Sequence, residues 1–222
     1  MSNVSAVNND NVNFNYEFGN FNPNDVEVAE TINAVFVVDT STSVESYGHE
    51  LNKALNEFTA RMQKSHAASN LFVSIIEFNS NVTVTSGFRP ISEIPVIDLI
   101  PRIGGMTALY KACKEGLTNA LDYRKDLENA GVNCKTLLFV ITDGEDNASG
   151  NVAASDVKVL IDSLLKEERN FFSFESILFG VGNDNSFEKA QKDMGIKHLA
   201  RVGTTAEEIR KMINFISSSI TS

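Results

Sequence analysis

No lysine or arginine occurs before Lys53, although the chain of 222 residues carries 19 of them. Its formal net charge is −10. An acidic balance of that size argues against a surface that tracks phosphates, so nucleic acid is not an expected partner. No run approaches the roughly 18 apolar residues that cross a bilayer. The first residues have neither the basic start nor the apolar stretch of a secretory signal. No membrane partner and a cytoplasmic location are therefore expected. Cysteine is scarce too. Cys113 and Cys134 sit in apolar patterns without metal-ligand neighbours, and read as reduced core thiols rather than a disulfide. His49, His66 and His198 are scattered without metal spacing. Gly180-Val181-Gly182 lacks the third glycine of a dinucleotide loop, and no Gly-Lys-Ser/Thr exists for a P-loop.

The acids are unevenly placed. Asp10, Glu17, Asp25, Glu27, Glu30, Asp39, Glu45 and Glu50 all precede the first basic residue, and from Lys53 onward the charge is close to balanced. Residues 1–31 form an Asn-rich acidic arm, and residues 32–222 form the expected domain. Within the arm, Val12, Phe14, Tyr16 and Phe18 alternate with polar residues, the period of a half-buried strand. The arm is either a disordered extension or an added strand that pairs with a sheet edge or a partner.

From Thr31 the chain alternates strand and helix signals. Ala34 to Val38 is a continuous β-branched and aromatic run, suited to a central strand buried on both faces. Val44, Tyr47, Leu51, Leu55, Phe58 and Met62 follow at helical spacing. Leu71–Phe78 reads as a second strand and Val82–Thr85 as a short third, antiparallel to it across Asn79-Ser80-Asn81. A segment broken by Pro90, Pro95 and Pro101 leads to a helix over 108–129, which Gly131 ends. Its expected buried residues include Leu109, Ala112, Cys113, Leu117, Ala120 and Leu121. Strands are expected at 136–141, 172–181 and 198–202, and helices at 153–168, 187–194 and from 206. Repeated βα units predict an α/β fold, a doubly wound and mostly parallel sheet with one antiparallel edge strand and helices on both faces. Ligands bind such sheets beyond the carboxyl ends of the strands, where the winding reverses. Asp39 and Asp143 stand at the ends of the two strongest strand patterns.

Asp39-x-Ser41-x-Ser43 puts a carboxylate and two hydroxyls on alternate residues of a tight turn. Thr107 adds a hydroxyl after Gly104-Gly105, and Asp143 adds a carboxylate within Thr142-Asp143-Gly144. An all-oxygen set of low charge fits a hard divalent cation, above all Mg²⁺, which takes octahedral oxygens and keeps some waters. Taken singly, Ser41 or Ser43 could cap the next helix and Asp143-Gly144 could be a turn. Glu145, Asp146 and Asn147 extend a polar, acidic rim.

These three pieces resemble the metal-ion-dependent adhesion site of von Willebrand factor A domains, and the order of elements over residues ~31–220 agrees. The resemblance implies a Rossmann-like fold. It also implies that Ser41, Ser43 and Thr107 offer hydroxyls to Mg²⁺, with Mn²⁺ or Ca²⁺ as substitutes. Asp39 and Asp143 would act directly or through water. One coordination position would go to an Asp or Glu carboxylate of a partner protein. The chain looks most like intracellular stand-alone members from bacteria and phages. Some of those are encoded with AAA+ ATPases, and others belong to tellurium-resistance and stress or defence systems. The expected role is a non-enzymatic adaptor or assembly subunit. Two other readings remain open. A metal-dependent phosphohydrolase would need a base, for which only Glu145 and Asp146 lie near. An extracellular adhesin would have to be exported without a recognisable signal.

Overall fold

The apolar run Ala34–Val38 lies in the interior of a six-stranded sheet, with every residue from Ala34 to Asp39 buried. The structure, a computed structural model, describes residues 30–166 and 172–221. The strands are β1 (Glu30–Asp39), β2 (Leu71–Phe78), β3 (Val82–Pro90), β4 (Asn133–Thr142), β5 (Phe172–Val181) and β6 (His198–Val202). The helices are α1 (Gly48–Met62), α2 (Leu109–Asn129), α3 (Ala154–Lys166), α4 (Phe187–Met194) and α5 (Ala206–Thr221). β1 begins inside the arm as bounded from the sequence. The remainder of the arm, with its Val12–Phe18 alternation, lies outside the described residues.

The sheet order is β3-β2-β1-β4-β5-β6, with β3 antiparallel to β2 and every other pair parallel. From β1 the chain first builds outward through β2 and β3, then returns to β4 and builds the other way. β1 and β4 are therefore the neighbours at which the winding reverses, and Asp39 and Asp143 leave their carboxyl ends side by side.

Alternation along β1 divides the core in two. Ala34, Phe36 and Val38 face α1 and α5, while Val35 and Val37 face the side of α2, α3 and α4. On the first face Phe36 packs against Phe58 and Phe139, with ring centroids 5.2 and 5.3 Å apart. On the second, Gly116 lets α2 approach closely: a Cβ there would meet Val35 and Val37 methyls at 3.2 Å. The helical stripe from Val44 to Met62 is buried throughout. It is divided, however, into a 3₁₀ turn over Thr42–Ser46 and the α-helix proper from Gly48.

Two expectations shift. β3 runs five residues past Thr85, because the ladder shifts register on either side of the Ile75–Ser86 pair and then continues to Pro90. As an edge strand it tolerates Pro90 at its terminus. Leu121, expected in the core, is only half-buried. The end of α2 is as read: Gly131 has φ +70°, its N–H donates to Glu128, and Val132 donates to Leu127, closing a Schellman turn. Cys113 and Cys134 are both buried and unpaired.

Candidate metal-binding site

The site is a seam where three loops are hydrogen-bonded to one another. Asp39 ends β1 with no exposed surface, and its carboxylate accepts from the Ser41 backbone N–H (2.7 Å) and from the Thr142 hydroxyl (2.6 Å) at the end of β4. Ser41 and Ser43 lie with their hydroxyl oxygens 3.1 Å apart, and Ser43 donates to Asp143 at 2.7 Å. The third loop is tied to the first through its backbone. Gly104 donates to the Thr40 carbonyl, and the Gly105 carbonyl accepts from both the N–H and the hydroxyl of Thr42. Neither serine hydroxyl caps a helix. Asp143 holds a cross-loop hydrogen bond, so it does more than turn the chain.

Asp39, Ser41, Ser43 and Asp143 are thus joined by direct contacts. Thr107 joins the group through its main chain: its N–H donates to the Asn147 side chain, and its carbonyl accepts from the N–H groups of Asn147 and Ala148. This fixes the Gly-Gly loop against the loop that carries Asp143. Gly105 has φ +83°, and a Cβ there would come within 2.7 Å of the Ser80 hydroxyl, which accepts from the Met106 N–H. Gly105→Ala should therefore cost about 2 kcal/mol of stability and unseat the loop beside Thr42. Urea unfolding and a Mg²⁺ titration of the variant check this.

The electrostatics are those of crowded, poorly hydrated acids. Burial pushes the Asp39 carboxyl up to about 6, against the opposing hydrogen bonds from Thr142 and Ser41. Burial also raises Asp143, again against its hydrogen bonds, and Asp184 adds repulsion. The Tyr47 phenol is held far above its ordinary range by burial and by both aspartates. Its hydroxyl is buried beside Asp143 without completing a hydrogen bond of normal geometry. Two carboxylates, two linked hydroxyls and an unsatisfied phenol therefore share one spot, with no cationic side chain among the described residues bonded to either acid. Among the described residues no group of three or more His, Cys, Asp and Glu side chains could hold a metal. A cation bound here has to rely on hydroxyls.

The polar rim has a second use that the sequence does not announce. α2 starts without a cap from its own chain neighbours. Its first free N–H groups are satisfied from the loop after β4: Tyr110 N–H donates to Asp146, and Lys111 N–H donates to Ser149, whose hydroxyl in turn bonds Asp146. Asp146 is a trans cap that also suits the positive end of the helix dipole. Asp146→Ala should cost about 1–2 kcal/mol in urea unfolding and leave Mg²⁺ affinity within a factor of a few. An equal loss of both would make Asp146 part of the cation site.

The comparisons with known proteins agree with this architecture. The family model for the von Willebrand factor type A domain matches residues 33–216. A search of curated proteins finds no match. Among solved structures, the pilus adhesin SpaC from Lactobacillus rhamnosus GG superposes with a TM-score of 0.65 at 15% identity, over 86% of this chain and 31% of its own. The PilB minor pilin from Streptococcus sanguinis gives 0.56 at 12% identity, over 90% and 63%. The ArnB paralog VWA2 from Sulfolobus acidocaldarius gives 0.50 at 14%, over 84% and 45%. This chain thus spans about a third of the adhesin and under two thirds of the pilin, and identities this low speak for the fold alone. Domains of this type generally mediate protein–protein interaction. The chain belongs to the von Willebrand factor type A domain family.

Proposed function

We propose that the domain binds a protein partner through a divalent cation, Mg²⁺ in the first instance. The observation that carries this reading is the Ser41–Ser43–Asp143 chain of hydroxyls and carboxylate beside buried Asp39, at the point where the sheet reverses its winding. The donors suit the ion: they are all oxygen, Asp39, Ser41, Ser43 and Asp143 lie together, and the two acids with raised pKa have no positive neighbour among the described residues. Ser41, Ser43 and Thr107 would offer hydroxyls, with Asp39 and Asp143 acting directly or through water. A cation held mainly by neutral oxygens keeps most of its charge, and so attracts an anionic oxygen from outside. An Asp or Glu of the partner supplies that oxygen.

The role of adaptor or assembly subunit inside the cell, with an AAA+ ATPase or a stress or defence complex as the setting, rests on the sequence resemblance. The buried, unpaired Cys113 and Cys134 favour a reducing compartment over a cell-surface adhesin. The phosphohydrolase reading loses one of its two candidate bases, because Asp146 is engaged as the cap of α2.

The test is capture of partners from lysate with and without EDTA, repeated with Ser41→Ala. Binding that needs Mg²⁺ and falls at least tenfold in the variant is expected. Metal-independent capture, or turnover of phosphoesters lost in the same variant, would overturn the proposal.

A further inference from the structure

The loops at the carboxyl end of the sheet contain neither lysine nor arginine. Segments 40–47, 79–81, 103–108, 143–153, 182–186 and 203–205 hold none of the chain's 19 basic residues, yet they contain Glu45, Asp143, Glu145, Asp146 and Asp184. The five helices that start at this end carry Lys111 and Lys189 in their first turns, against five acids. The bordering arginines are engaged elsewhere: Arg102 pairs with buried Glu77 at 2.6 Å, and Arg201 with Glu188 at 2.7 Å. Asp146 caps α2, and Asp184 accepts from the Ser186 N–H. Glu45 and Glu145 are different. Both are exposed, and neither has an ion pair or a side-chain hydrogen bond among the described residues. Each lies two positions beyond a candidate ligand, Ser43 or Asp143. Two further features mark this surface as one that meets a ligand. The hydroxyl of Tyr47, a residue only 3% exposed, is directed at Asp143 without a completed hydrogen bond. Met106, next to Thr107, leaves 55% of its surface in solvent while Ser80 holds its N–H.

On the reading that a divalent cation occupies the site, we propose that the partner's acidic residue sits within a basic segment. Lys or Arg flanks the Asp or Glu that reaches the cation. The charges select this partner. A divalent cation balances Asp39 and Asp143, and leaves Glu45 and Glu145 as fixed negative charges on the two loops that supply those acids. A partner segment rich in acids is repelled by both. Flanking Lys or Arg side chains pair with them instead, and the acidic end of the domain steers such a segment toward the site. Met106 gives the residue beside the partner's acid an apolar and adaptable contact.

The probe is a displayed library of short peptides with a central Asp or Glu and randomised flanks, bound to the full-length protein in Mg²⁺ and eluted with EDTA. Lys and Arg should be enriched around the central acid, and Asp and Glu depleted. A synthetic peptide with lysine flanks should bind about tenfold tighter than its glycine-flanked counterpart. That ratio should fall toward one in about 0.5 M NaCl. Combining Glu45→Gln with Glu145→Gln should cut the ratio about fivefold. A change in Mg²⁺ affinity alone leaves the ratio where it is, because it acts on both peptides. EDTA-eluted peptides with neutral or acidic flanks, or a ratio indifferent to the two substitutions, would overturn the proposal and leave the cation reading standing. Recovery of no EDTA-eluted peptide, or a lysine-flanked peptide that binds equally well in EDTA, would overturn both.

Discussion

Asp39→Asn should raise the stability of the metal-free domain at neutral pH while abolishing its response to Mg²⁺. The carboxyl of Asp39 is buried and its pKa is pushed from 3.8 up to about 6. The folded state therefore holds a proton that the unfolded state has released between those values. The stability contributed by the protonated acid is present below about pH 4 and is lost as pH rises to about 6. At pH 7 the ionised side chain costs about 3 kcal/mol relative to a group without the shift. Asparagine fits the same place. Its carbonyl can keep the Ser41 N–H, and its amide can donate to the Thr142 hydroxyl, which can turn toward the Gly144 carbonyl 3.4 Å away. Comparing the two proteins in EDTA should give a difference that grows from near zero at pH 4 to about 3 kcal/mol at pH 7. Adding Mg²⁺ at a hundred times its Kd should restore about 2.7 kcal/mol to the wild type and nothing to the variant. Calorimetric scans across pH, with and without Mg²⁺, measure all of this. A variant that still gains stability from Mg²⁺ would remove Asp39 from the site.

The parts of this arrangement that were legible in the sequence are those fixed by local pattern. Apolar runs and their periods located β1, β2, β5, α4 and β6 to within a few residues, because each buries a face whose spacing is set by its own backbone geometry. Asp39 and Asp143 were legible as neighbours through a topological rule and through the family resemblance, not through local pattern, since 104 positions separate them and the strand pairing brings them together. What was hidden depends on contacts with no local signature. Asp146 and Ser149 cap a helix that starts some forty positions earlier. Arg102 reaches back to the buried carboxylate of Glu77 at 2.6 Å. Asn52 and Asn56 on α1 hold the backbone of Ile97 and Leu99, tying down the proline-broken segment that leads to the Gly-Gly loop. The sequence presents these as ordinary polar residues on helices and in loops, and only the fold gives them partners.

Gly180→Ala should be among the most destabilising single-methyl changes in the protein, at about 3 kcal/mol. Gly180 lies in β5 without an unusual φ, so the requirement for glycine is one of space. A Cβ there would fall 2.3 Å from Cδ2 of Phe187 and 2.5 Å from its Cγ. Phe187 is the first residue of α4 and almost fully buried, so the ring cannot swing into solvent. Overpacking of this kind commonly costs 1–3 kcal/mol, and contact with the rigid base of a ring places it at the top of that range. Phe187→Ala should cost about 3–5 kcal/mol by emptying the same space. The double variant should be more stable than the sum of the two losses implies, by 1 kcal/mol or more, because the new methyl occupies part of the vacated volume. The strain also bears on the site. The loop between β5 and α4 holds Asp184, whose charge acts on Asp143 and whose carbonyl accepts from Arg201. Displacing Phe187 moves the start of α4 and should shift Mg²⁺ affinity by a factor of a few. Urea unfolding of the four proteins in EDTA closes the cycle. Additive losses would mean that Gly180 is required for something other than the Phe187 ring.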